Sequence, residues 1–140
     1  MIPLALSIAA LLLVLAALHI YWAAGGRMGA TAAIPEVAGE PAFKPGSNIT
    51  LLVALGLTLS ALIVLGRARL WTPAGIPQSM FGAGTWGLTA VFLLRAVGDF
   101  RLVGFFKRAR GTRFARRDTL FYSPLCLLLG LGLLSLAFSR

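Results

Sequence analysis

The sequence predicts an all-α polytopic membrane protein, a four-transmembrane-helix bundle, on three observations. Of 140 residues, 59% are hydrophobic and 12% are charged, with a mean hydropathy of +0.89; a soluble domain carries about 25% charged residues. Four apolar segments, roughly 2–23, 49–66, 79–97 and 122–138, are each long enough to cross about 30 Å of hydrocarbon at about 1.5 Å per residue. Structure breakers and hydroxyl residues stand at the start of the last three. The spans leave no room for a soluble catalytic domain, so a single four-helix transmembrane domain, 1–140, is expected.

The first segment lacks a Lys or Arg before its apolar run, and that run exceeds the usual h-region of a signal peptide. It reads as an uncleaved helix, although the small residues of "AAGG" are compatible with cleavage. The second follows "PGSN", with Ser47 or Asn48 as the expected N-cap. The third follows "IPQS", with Ser79 as the cap. The fourth follows "YSP", where Ser123 can cap and Pro124 suits a first helical turn; a start further upstream, capped by Asp118, would leave Pro124 inside the helix as a kink.

Orientation follows from the basic residues. The 24–47 and 99–121 connections share a side and together carry nine Lys and Arg, against three (Arg67, Arg69, Arg140) opposite. Both long connections are therefore expected in the cytoplasm, with both termini outside. At an offset of 76, "LLVALGL" (51–57) matches "LLLGLGL" (127–133) at five of seven positions. That pattern suits duplication of a helix–loop–helix unit, although leucine-rich segments match easily by chance. The small-residue pairs Ala83/Gly87, Gly56/Ser60 and Cys126/Gly130 mark expected helix contacts.

The net charge of +9 would suggest nucleic acid in a soluble protein. Here it records topology and attraction to the bilayer, and no nucleic-acid partner is expected. The 101–117 basic loop is the expected contact for anionic lipid headgroups, with Phe105, Phe106 and Phe114 dipping among them and Lys107 and the arginines meeting phosphates. A purely topogenic positive loop is the plainer reading.

Arg95 lies about one turn inside the third span and Asp99 at its boundary. Residues four apart share a helix face, so the two are expected to pair, with His19 close across the helix interface. A snorkelling arginine held by a neighbouring carboxylate is the plain reading; a ligand site facing the bundle is the sharper one. His19 and Trp22 lie near the same end of the first span, where an aromatic belt competes with ligand stacking. His19, Trp22, Arg95 and Asp99 are the candidate ligand-binding residues. A lone histidine and the lone Cys126 provide neither a metal cluster nor a disulfide. P-loop, CxxC and HExxH motifs are missing from the sequence, so no catalytic residue and no cofactor is assigned. Ser123, His19 and Asp99 or Asp118 assemble a hydrolase triad only on paper.

Through "HIYWAAGG", "AIPE", "AVGDFRLVGFF" and "FARRDTLFYSPLCLLLG" the chain resembles, over nearly its whole length, domain-of-unknown-function family 3995. The resemblance implies a small four-span protein of the bacterial inner membrane and transfers no activity. Three functions are open on these grounds. The first is binding of a lipophilic or anionic ligand at the cytoplasmic end of the bundle. The second is service as an accessory subunit or assembly factor for a membrane-protein partner. The third is an enzyme on a membrane-embedded substrate with His19 as acid–base group.

Overall fold

The computed structural model describes residues 1–37 and 40–139. Its long helices are α1 (Ile2–Ala23), α3 (Ser47–Arg67), α4 (Gln78–Val97) and α6 (Ser123–Phe138). The last of these continues a shorter helix, α5 (Arg113–Arg117), through one π-helical turn at Asp118–Tyr122, so the fourth apolar helix runs from Arg113 to Phe138. Four helices are thus long and apolar enough to cross a membrane, the make-up of an integral membrane protein. They are apolar all round, as helices with lipid on one side and helices on the other must be. Leu13, Val14, Leu52, Leu55, Val91, Leu94 and Leu128 project outward.

Packing divides the bundle into two antiparallel hairpins. The principal contacts are α1 on α3 and α4 on α6, joined by α3 on α4. The core is built from Ala5, Ile8, Ala9 and Leu12 of α1, Ala61 and Val64 of α3, and Leu129, Leu133 and Leu136 of α6. Glycine sets the close approaches. A Cβ at Gly130 would lie 2.6 Å from Leu93 Cδ2, one at Gly84 2.9 Å from Ile63 Cγ2, and one at Gly132 2.9 Å from Ile8 Cδ1. Among the small residues expected to mark contacts, Gly130 does so, against Leu93. Ser60 is buried, but Gly56 and Gly87 face open space. Buried Thr85 and Thr89 satisfy their hydroxyls by donating to the carbonyls of Phe81 and Thr85, four residues back, each at 2.8 Å.

The expected N-caps do not form. Ser47 and Ser79 lie inside their helices, behind Gly46 and Pro77, whose extended backbones end the preceding connections. The fourth helix is capped by Thr112, whose Oγ1 accepts the Ala115 N–H at 3.0 Å. This start lies upstream of both alternatives read from the sequence.

The two long connections meet at one end of the bundle. The first contains α2 (Ala30–Ala33) and a two-stranded antiparallel ribbon of β1 (Glu36–Val37) and β2 (Glu40–Pro41), with Glu36 opposite Pro41. α5 packs on α2 and β1, and the Tyr122 hydroxyl donates to the Ala32 carbonyl at 3.2 Å. At the opposite end Gln78 donates to the carbonyls of Gly66 (3.2 Å) and Arg67 (3.0 Å), closing α3. Arg67 there donates to the carbonyls of Ala137 and Ser139.

Candidate functional site

Polar side chains gather in two places at the end of the bundle where the long connections meet. The first centres on Asp118, which is fully buried at the start of the π-helical turn. Pro124 has no N–H to donate. The widened turn before it carries a bond from Ser123 N–H to the Asp118 carbonyl, five residues back.

The Asp118 carboxylate collects donors from two other segments and from its own helix. Its Oδ1 accepts from Arg95 Nη2 at 2.8 Å. Its Oδ2 accepts from Gly104 N–H (2.8 Å), Lys107 Nζ (3.0 Å) and Ser123 Oγ (3.1 Å). Lys107 is 4% exposed and also donates to the Gly104 carbonyl (2.9 Å) and Thr119 Oγ1 (2.6 Å). All three ammonium donors are thereby used. Lys107 and Asp118 are withdrawn from water while Arg95 stays part-exposed, and the buried ammonium and carboxylate are tolerated because each has directed partners. The cluster ties α4, the 98–112 connection and the fourth helix into one unit.

The loop that presents Gly104 is "GDFRLVG", residues 98–104. Gly98 and Gly104 have φ of 98° and 89°, and their backbones touch. A Cβ on Gly98 would strike the Val103 carbonyl, and one on Gly104 would strike the Val97 carbonyl. Phe105 and Phe106 N–H groups return to the carbonyls of Ala96 (2.9 Å) and Val97 (3.3 Å). Inside the loop Asp99 accepts the N–H groups of Arg101 (2.8 Å), Leu102 (2.7 Å) and Val103 (3.0 Å). Slight burial opposes ionisation of Asp99, but these three backbone donors outweigh it and hold the carboxyl below its ordinary value.

Asp99 is therefore not the partner of Arg95. The helix stops at Val97, and Gly98 turns the chain away, so the four-residue spacing never becomes a shared helical face. Arg95 instead finds a carboxylate 23 residues on. Lys107, read as one of the headgroup-facing cations, is enclosed in the same cluster. Asp118 and Lys107 are the residues that sequence reasoning missed. A usable signal existed for both: Asp118 is the one acid abutting the fourth apolar run, and Lys107 the one lysine among six arginines between 99 and 121. A compact ammonium with three rotatable donors suits an enclosed site better than a guanidinium.

The second place is a groove of about 800 Å³ between α1, α3 and the first connection. His19 and Trp22 line it together, with ring centroids 5.0 Å apart in an edge-on arrangement. Arg27 and Lys44 stand at its walls, and Phe43, Ile49 and Val53 supply apolar surface. Trp22 Nε1 donates to the Met28 carbonyl at 2.9 Å. His19 Nδ1 lies 2.7 Å from the Leu15 carbonyl, so the proton belongs on Nδ1, and Nε2 is left to accept in the neutral ring. Of the four candidate residues, His19 and Trp22 share this groove, while Arg95 and Asp99 belong to the Asp118 side and do not line it.

No curated protein and no solved structure matches the chain. The family described as "Protein of unknown function (DUF3995)" matches residues 12–133, which take in both the groove and the Asp118 cluster. This four-helix membrane chain belongs to the DUF3995 family.

Proposed function

We propose that the protein binds an amphiphilic anion in the groove of His19 and Trp22, with the two long connections on the cytoplasmic side. What carries the reading is the pairing of surfaces in one cavity of about 800 Å³. Arg27 and Lys44 offer charge to an acidic head, while Trp22, Ile49 and Val53 offer an apolar wall to its chain. A volume of this size accommodates a ligand of lipid-fragment dimensions. His19, with Nδ1 engaged by the Leu15 carbonyl, adds one polar side chain to the lining. In this reading Arg95 and Asp99 act at one remove, by holding the neighbouring connection.

A fatty acid carrying a photoreactive diazirine on its chain tests the proposal in detergent-solubilised protein. Crosslinks should concentrate at Ile49, Val53 and Trp22 and be displaced by excess oleate. Lys44→Gln with Arg27→Gln should weaken labelling about thirtyfold, since each basic group near such a head contributes about 1 kcal/mol. Labelling spread evenly over outward residues such as Val91 and Leu128, undiminished by oleate, would sink it.

A further inference from the structure

A second groove at the same end takes no part in that reading. It encloses about 840 Å³ beside the start of the fourth helix, and Arg110, Arg113 and Arg116 all line it. None of its lining residues is acidic. The nearby carboxylate, Asp118, is buried and holds Arg95 and Lys107. Lys107 reaches the groove wall with every donor used, so it lends the site a field and no free hydrogen bond. The three arginines are solvent-exposed, and Arg113 and Arg116, three residues apart on α5, lie on one side of it.

Apolar surface borders these charges in one direction. Phe105 and Leu120 line the groove. Leu120 and Phe121, 55% and 64% exposed, stand where the fourth helix enters its apolar stretch. A headgroup seated among the arginines would place its acyl chains along this outward face. Guanidinium groups match phosphate oxygens two at a time, which an ammonium does not.

We propose that the groove of Arg110, Arg113 and Arg116 is a binding site for the phosphate group of an anionic membrane lipid. The site is built from the second connection, and the amphiphile groove from the first, so either can fail without the other.

Native mass spectrometry of the full chain in mild detergent tests it, with short-chain dioctanoyl phosphatidic acid as the probe. Two variants with equal charge loss are compared. Arg110→Gln/Arg113→Gln/Arg116→Gln removes the groove arginines, and Arg101→Gln/Arg108→Gln/Arg117→Gln removes three exposed arginines of the same loop that do not line it. The groove triple should lose lipid affinity by about tenfold or more relative to the control triple. Equal losses in both would mean a diffuse basic surface and overturn the site, as would no loss in either. Should the groove triple not fold, single Arg113→Gln and Arg116→Gln variants are read against Arg117→Gln in the same way. Inorganic phosphate is the second arm. Failure of millimolar phosphate to displace the lipid supports a lipid site. Displacement with comparable affinity would make it a soluble-phosphate site and overturn the lipid assignment.

Discussion

At the scale of single residues, the Asp118 cluster shows how a charge deep in a membrane protein is made tolerable. Arg95 demanded a partner, and that demand was legible in the sequence because its surroundings are apolar. The partner was not, because proximity along the chain is a poor guide once Gly98 ends the helix. Removing one member of a buried pair strands the other, which costs about 3 kcal/mol or more. Asp118→Asn should therefore destabilise the protein strongly in detergent unfolding, and Asp99→Asn, at an exposed turn, far less. Lys107→Met added to Asp118→Asn should restore part of the loss, because Lys107 is nearly inaccessible and without Asp118 lacks a counter-charge. Additive losses would show that the two do not depend on each other. Asp99 carries a separate expectation. Its folded pKa is lowered, so its contribution is complete above the ordinary value of 3.8 and is lost as pH falls through the lower folded value. A carbon-13 titration of the Asp99 carboxyl should give a midpoint below 3.8, the ordinary value. A midpoint at or above that would contradict its three backbone bonds.

At the scale of elements, the four apolar helices were legible almost to their ends, because length and hydropathy determine what can span a bilayer. Their starts were less so, since caps depend on the backbone path of the preceding connection. The fourth helix gains ten residues over its apolar core, from Arg113 through Tyr122, because Thr112 caps it upstream and a π-helical turn accommodates Pro124. The 98–104 loop was not legible at all: "GDFRLVG" gave no sign that its two glycines would press backbone to backbone. Gly98→Ala and Gly104→Ala should each cost about 2 kcal/mol or more, since a Cβ there meets backbone that cannot yield and the left-handed region adds strain. Gly111→Ala is the control. It has a φ of 85° but open space around it, so it should cost only about 1–2 kcal/mol. Thermal unfolding of the three variants in one detergent decides the matter, and equal losses would refute the backbone contact.

At the scale of the whole molecule, the division into two hairpins gives physical content to the repeat read at an offset of 76. α1 with α3 and α4 with α6 are the principal pairs, each joined by a long connection, and both connections lie at one end, where Tyr122 of the fourth helix donates to Ala32 of the first connection. That they share a side was legible from counting spans. Which side of the membrane they occupy rests on the basic residues alone, nine against three. Lys107 is buried against Asp118 in the folded chain, yet it still counts, because orientation is set during insertion, before that cluster exists. Setting it aside would leave a clear excess. Single cysteines at Ala42 and Ala74, both exposed, report the two sides on a background with Cys126 replaced by serine. Neither change alters the charge balance. In intact cells an impermeant maleimide should label Ala74→Cys directly and Ala42→Cys only after permeabilisation. The reverse pattern would put the basic connections outside, and with them both grooves. An anionic ligand would then have to arrive from the exterior, and cytoplasmic recognition would fall while the fold and the Asp118 cluster stood unchanged.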